Sequence, residues 1–150
     1  MATVRVGTLI RAPLERVFRV FTDIEGSALR VRNIQQIEML TPGAIKIGSR
    51  WRETRELMGQ TASEELQITA FEMNRMYTIT CDTHGTRFDC TFRFTEAPDG
   101  TDVMAELDII PQSFGARLVA PFGALVLSNI EKSLEQDLMD LTHAVEAAPV

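Results

Sequence analysis

Histidine and cysteine are scarce in this chain of 150 residues, with two of each. Metal sites need clusters of His and Cys at short spacings. Cys81, Cys90, His84 and His143 supply no such cluster, so a structural or catalytic metal site is not expected. Nothing in the sequence calls for a cofactor. Cys81 and Cys90 fall within one expected hairpin and read as reduced pocket or core residues, not as a disulfide. Positive charge is also short: 15 Lys and Arg stand against 21 Asp and Glu, a net charge of −6. With no basic run, nucleic acid and anionic membrane surfaces make poor partners. Long apolar runs are missing too. The most apolar stretch, 118–127, contains Pro121 and falls well short of the roughly 20 residues that span a bilayer. Met1 leads into Thr3-Val4-Arg5-Val6, which reads as a strand with no apolar segment behind a basic one. The expected location is therefore cytoplasmic.

What remains is an ordinary globular composition, 45% apolar. It suits one domain over 1–150 with a sizeable core. Residues 3–10 read as a strand. Pro13 opens a helix through Thr22, with Val17, Phe18, Val20 and Phe21 as its apolar face, and a second short helix starts near Gly26-Ser27. Strands are predicted near 34–41, 48–58, 61–71, 76–83, 86–96 and 101–110. Turns are predicted at Gly59-Gln60 and Asp99-Gly100, with reversals at Gly48 and Gly85. From Gly115 to Ala148 runs one helical pattern, with apolar residues at Leu118, Phe122, Leu125, Val126, Ile130, Leu134, Leu138, Leu141 and Val145. The class is α+β with the helices on one side of an antiparallel sheet. So long an apolar stripe demands a sheet that curves around it, and such curvature leaves a hollow.

Alternation assigns the residues that face the hollow. They are Trp51, Glu53, Arg55 and Leu57; Ala62, Glu64, Leu66, Ile68 and Ala70; Tyr77, Ile79 and Cys81; Phe88, Cys90, Phe92 and Phe94; and Val103, Ala105, Leu107 and Ile109. The predicted turns set Arg55 opposite Glu64, Phe94 opposite Ala105 and Phe92 opposite Leu107. Inward charges at Glu53, Arg55 and Glu64 cost several kcal/mol each in a sealed core unless paired. They mark a solvated rim, an internal ion-pair cluster, a polar anchor inside a ligand cavity, or an acid/base pair. Trp51, Tyr77, Phe88 and Phe92 serve equally as core packing or as a pocket wall. The stretch from Phe114 to Leu127, broken by Gly115, Pro121 and Gly123, reads either as the buried start of the helix or as a pocket gate.

Ile10-Arg11-Ala12-Pro13, followed by Val17-Phe18 and Phe21-Thr22-Asp23, resembles the opening of the START-like (SRPBCC) superfamily. Gly48 to Arg55, with Gly59 downstream, is similar to a stretch of its polyketide cyclase/dehydrase and lipid-transport branch. Gly100-Thr101 and the closing helix with Asp137-Leu138 and Leu141 fit as well. The resemblance implies a helix-grip fold: a curved seven-stranded antiparallel sheet wrapped around a long C-terminal helix, with two short helices after the first strand. It also implies a cavity for hydrophobic small molecules. The superfamily's oxygenase branch needs histidines that this chain lacks.

The leading expectation is a carrier or sensor whose partner is a hydrophobic small molecule: a lipid, a polyketide or an aromatic compound. Trp51, Tyr77, Phe88, Phe92, Leu118 and Phe122 would form the wall, and Arg55 with Glu53 and Glu64 the polar anchor. One rival is a cyclase or dehydratase moving protons through Glu53, Glu64 or Tyr77. Another is a protein-interaction module with a filled core. Oligomeric state is not encoded in any motif.

Overall fold

The computed structural model describes residues 1–57, 59–113 and 123–147. In order they form β1 (Ala2–Ile10), α1 (Leu14–Thr22), α2 (Ser27–Arg30), β2 (Ile34–Met39), β3 (Arg50–Leu57), β4 (Gln60–Glu72), β5 (Met76–Thr83), β6 (Thr86–Ala97), β7 (Gly100–Pro111) and a long helix, α3 (Gly123–Ala147). All seven strands join one antiparallel sheet in the order β1-β7-β6-β5-β4-β3-β2. This is the expected α+β helix-grip arrangement. The sheet curves around α3. At one edge the β1 end meets the helix, where the Arg11 amide donates to Glu146 (2.9 Å). Near the other edge Arg55 of β3 reaches the same helix at Asp137 (2.8 Å).

α1 forms because Val17, Phe18 and Phe21 share one face at helical spacing, and all three are buried. Pro13 sits just before the first turn, where its missing N–H costs nothing. The rings of Phe18 and Phe21 meet Phe71, Tyr77, Phe92 and Phe94 in edge-on contacts at 5.1–6.1 Å. Tyr77 stacks on Phe92 at 5.1 Å. Each such pair adds about 0.5–1.5 kcal/mol beyond simple burial. This end of the hollow is packed solid. On α3, Leu134, Leu138, Leu141 and Val145 form the buried stripe.

Register departs from expectation at both predicted turns. Leu57 pairs with Gln60, so the β3–β4 connection is 58–59, with Gly59 at φ +77°. Arg55 therefore lies opposite Ala62, and Glu53 lies opposite Glu64. Ala97 pairs with Gly100, so Phe94 lies opposite Val103 and Phe92 opposite Ala105. Gly100 is required by a close approach rather than by the turn itself: a Cβ there would overlap the carbonyl oxygen of Ile10. On β4 a bulge between Ile68 and Ala70 reverses the alternation. Ala70 then joins Thr78 on the outer face and Phe71 turns inward against Phe18.

Candidate functional site

Beyond the aromatic cluster a space separates the middle of the sheet from α3, bridged near β3 by Arg55 and Asp137. This cavity has a volume of about 350 Å³. Its floor is Trp51 and Leu66 with Ile79, Phe88 and Phe92; its roof is Ile130, Leu134 and Leu141 of α3; Phe21, Ile24 and Val31 close one end. Volume persists because several inward positions carry small side chains: Ala62, Cys81, Cys90, Thr83 and Ser133. Five larger residues there would have filled the space to ordinary interior density.

One polar cluster interrupts the apolar wall. Arg55 donates through Nε to Glu53 Oε2 (3.2 Å) and through Nη1 to Asp137 Oδ2 (2.8 Å), with Ser133 Oγ at 3.5 Å. Glu53 Oε1 also accepts from Trp51 Nε1 at 3.4 Å. The side chains of Arg55, Glu53 and Asp137 are only 22%, 13% and 16% exposed, which rules out a solvated rim. They form an ion-pair cluster that lines the cavity. Such a cluster does not stabilise the fold cheaply, because the loss of hydration of three charges offsets much of their attraction. Burial pulls the Arg55 guanidinium down, but Asp137 and Glu53 outweigh it and hold it above its usual value. Burial pushes the Asp137 carboxyl up to about 6, against the opposing pull of Arg55. Its Oδ1 is buried and has no hydrogen-bond partner among the described residues.

Seven of the residues anticipated from sequence line this one cavity: Trp51, Glu53, Arg55, Glu64, Tyr77, Phe88 and Phe92. Leu118 and Phe122 lie outside the described residues, as does the 114–122 part of the gate expected over 114–127. Two expectations need correction. Arg55 does not pair with Glu64; its partners are Glu53 and Asp137, and Glu64 Oε1 accepts instead from Thr83 Oγ1 (3.1 Å). Tyr77 offers the cavity its ring but not a free hydroxyl, which donates to the Phe21 carbonyl (3.3 Å). Burial, with a smaller push from Cys90, holds that phenol well above its ordinary value, so it is badly placed to move protons. Asp137 was the residue missed. Its signal is a carboxylate within the apolar stripe Ile130, Leu134, Leu141, at the position seven after Ile130 and four before Leu141.

Cys81 and Cys90 are both free thiols on the cavity wall. Burial raises them to about 11 and about 12, with nearby carboxylates, Glu64 first for Cys81 and Asp137 first for Cys90, adding to the effect. Neither is a ready nucleophile near neutral pH. Among the described residues no group of three or more His, Cys, Asp and Glu is arranged to hold a metal ion. Among them, too, no helix is long and apolar enough to cross a membrane.

Solved structures share this architecture along nearly the whole chain. TTHA0849 from Thermus thermophilus is 22% identical with a TM-score of 0.80, covering 99% of this chain and 100% of that one. The Zhui aromatase/cyclase from Streptomyces sp. R1128 is 14% identical with a TM-score of 0.79, covering 97% and 93%. Protein CV1439 from Chromobacterium violaceum is 20% identical with a TM-score of 0.73, covering 99% and 100%. At these identities the likeness establishes the fold alone. No curated protein sequence matches the chain. The family model for polyketide cyclase / dehydrase and lipid transport matches residues 1–146. The curved sheet, the gripped helix and the match from end to end make this chain a member of that START-like family.

Proposed function

We propose that residues 1–150 act as one ligand-binding domain that holds a single hydrophobic or amphipathic small molecule between the sheet and α3, as a carrier or sensor. The observation that carries this reading is the unfilled, largely apolar space with one buried charged cluster on its wall. Ligand sites have this build: apolar walls give affinity and a few fixed polar groups give orientation. A volume of about 350 Å³ lies at the small end of the range for such sites, about 300–1,000 Å³. It suits a molecule of two or three aromatic rings or a chain of similar size. The interaction-module reading needs a solid core, which the space between sheet and helix argues against. The cyclase or dehydratase reading draws on the family description and on Asp137, whose raised value suits proton transfer near neutral pH. Against it, Glu53 and Asp137 are both held by Arg55, and Tyr77 is tied to Phe21.

The test is a titration with N-phenyl-1-naphthylamine, a neutral probe that fluoresces in apolar surroundings. Wild-type protein should show one saturable site. Cys90→Phe adds a ring inside the cavity and should weaken binding at least about tenfold, with an unchanged far-UV circular dichroism spectrum. Failure to saturate, or equal binding by the folded variant, removes the cavity as the site.

A further inference from the structure

The polar groups on the cavity wall are unbalanced. Among the described lining residues, three carboxylates (Glu53, Glu64 and Asp137) face one guanidinium, that of Arg55. Above the Asp137 midpoint near 6, this leaves two negative charges in excess. Hydrogen bonding shows the same surplus of acceptors. Glu64 Oε2 receives no hydrogen bond among the described residues, since the Thr83 hydroxyl goes to Oε1. Asp137 Oδ1 has no partner there either. On the donor side, Arg55 commits Nε to Glu53 and Nη1 to Asp137 and Ser133, and among the described residues Nη2 makes no hydrogen bond.

We infer that the cavity selects a neutral ligand carrying a hydroxyl, phenolic or alcoholic, and discriminates against the corresponding carboxylic acid. The inference rests on the small-molecule reading above and specifies its ligand class. A hydroxyl both donates and accepts. It can give its proton to Glu64 Oε2 while its oxygen takes an N–H from Arg55 Nη2, which serves one spare acceptor and the spare donor together. An ether of the same shape accepts but has nothing to donate. A carboxylate ligand would bring another negative charge into a poorly hydrated space that already holds an excess of them, a costly arrangement at low effective dielectric. Arg55 alone would have attracted an acid, but Glu53 and Asp137 already neutralise it.

Three compounds of similar shape separate these cases: 1-naphthol, 1-methoxynaphthalene and 1-naphthoate. Each is used to displace N-phenyl-1-naphthylamine from wild-type protein at about pH 7.5, above the Asp137 midpoint. 1-Naphthol should bind about tenfold or more tighter than either analogue, the worth of a hydrogen bond to a charged group. Glu64→Gln and Asp137→Asn each remove one negative charge and should each narrow the gap between naphthol and naphthoate about tenfold. Having two separate variants keeps the test open if one folds poorly. Equal displacement by all three compounds, or preference for naphthoate, overturns the hydroxyl inference and leaves the cavity reading standing. If N-phenyl-1-naphthylamine itself fails to bind, the small-molecule reading falls, and this inference with it.

Discussion

Asp137 is the side chain on which most of the site's electrostatics turn. It joins α3 to β3 through Arg55 (2.8 Å) and shares a cavity wall with Glu53. Burial lifts it to about 6 even though Arg55 pulls the other way, so the folded chain holds its proton more tightly than the unfolded chain does. The stability from that tighter hold is fully present below about pH 4, the ordinary carboxylate range. It is lost as pH rises toward 6. Asp137→Asn removes this titration. Relative to that variant, wild-type protein should lose stability between about pH 4 and pH 6, by an amount on the order of 3 kcal/mol at about 1.4 kcal/mol per pKa unit. Urea denaturation of both proteins across that range checks it; a constant difference would show that Asp137 titrates as it does in the unfolded chain. From sequence, the inward charges of β3 were legible because alternation is strict on a strand with a wholly polar outer face. Asp137 was not. It lies on a helix whose apolar stripe was read as continuous, and one carboxylate within such a stripe is easily taken for its margin.

Among the elements, strand faces were far more legible than strand partners. Moving a two-residue connection by one position shifts each cross-strand partner by two residues, and the side-chain period of a strand is also two. The inward sets of β3, β5, β6 and β7 therefore survived a wrong turn assignment, whereas the pairing of Arg55 with Glu64 did not. Only the bulge on β4 changed faces, exchanging Ala70 for Phe71, and no residue pattern announces it. Gly100 misled for a different reason. Asp-Gly is a common turn pair, but this glycine is needed where the start of β7 passes the backbone of Ile10 and Arg11. Gly59, by contrast, has open space around its would-be Cβ and only a positive φ to satisfy. Gly59→Ala should cost about 1–2 kcal/mol, the left-handed penalty. Gly100→Ala must also push two strands apart and should cost at least about 3 kcal/mol, near the upper end for overpacking. Equal midpoints in urea would mean that the contact with Ile10 relaxes without strain.

For the molecule as a whole, the fold was readable because length, alternation and helical spacing agree with one another, and because one long apolar helix can bury its stripe only inside a curved sheet. A hollow was foreseeable from that curvature. Its extent was not, since the residues that fill a core and those that line a cavity are of the same types. The outcome depends on how α1 docks. Phe18 and Phe21 fill one end through contacts with Tyr77, Phe92 and Phe94, and the small residues Ala62, Cys81, Cys90 and Ser133 leave the other end unfilled. The large exposed side chains Leu29, Ile47 and Met139 are 94%, 63% and 51% exposed and offer an apolar probe a competing place to stick. Magnetisation transfer from bound N-phenyl-1-naphthylamine to assigned methyl groups tells these places apart. A ligand held between sheet and helix gives cross-peaks to Leu66, Ile79, Leu107 and Leu134. Cross-peaks confined to Leu29, Ile47 or Met139 would mean that the interior space takes no ligand.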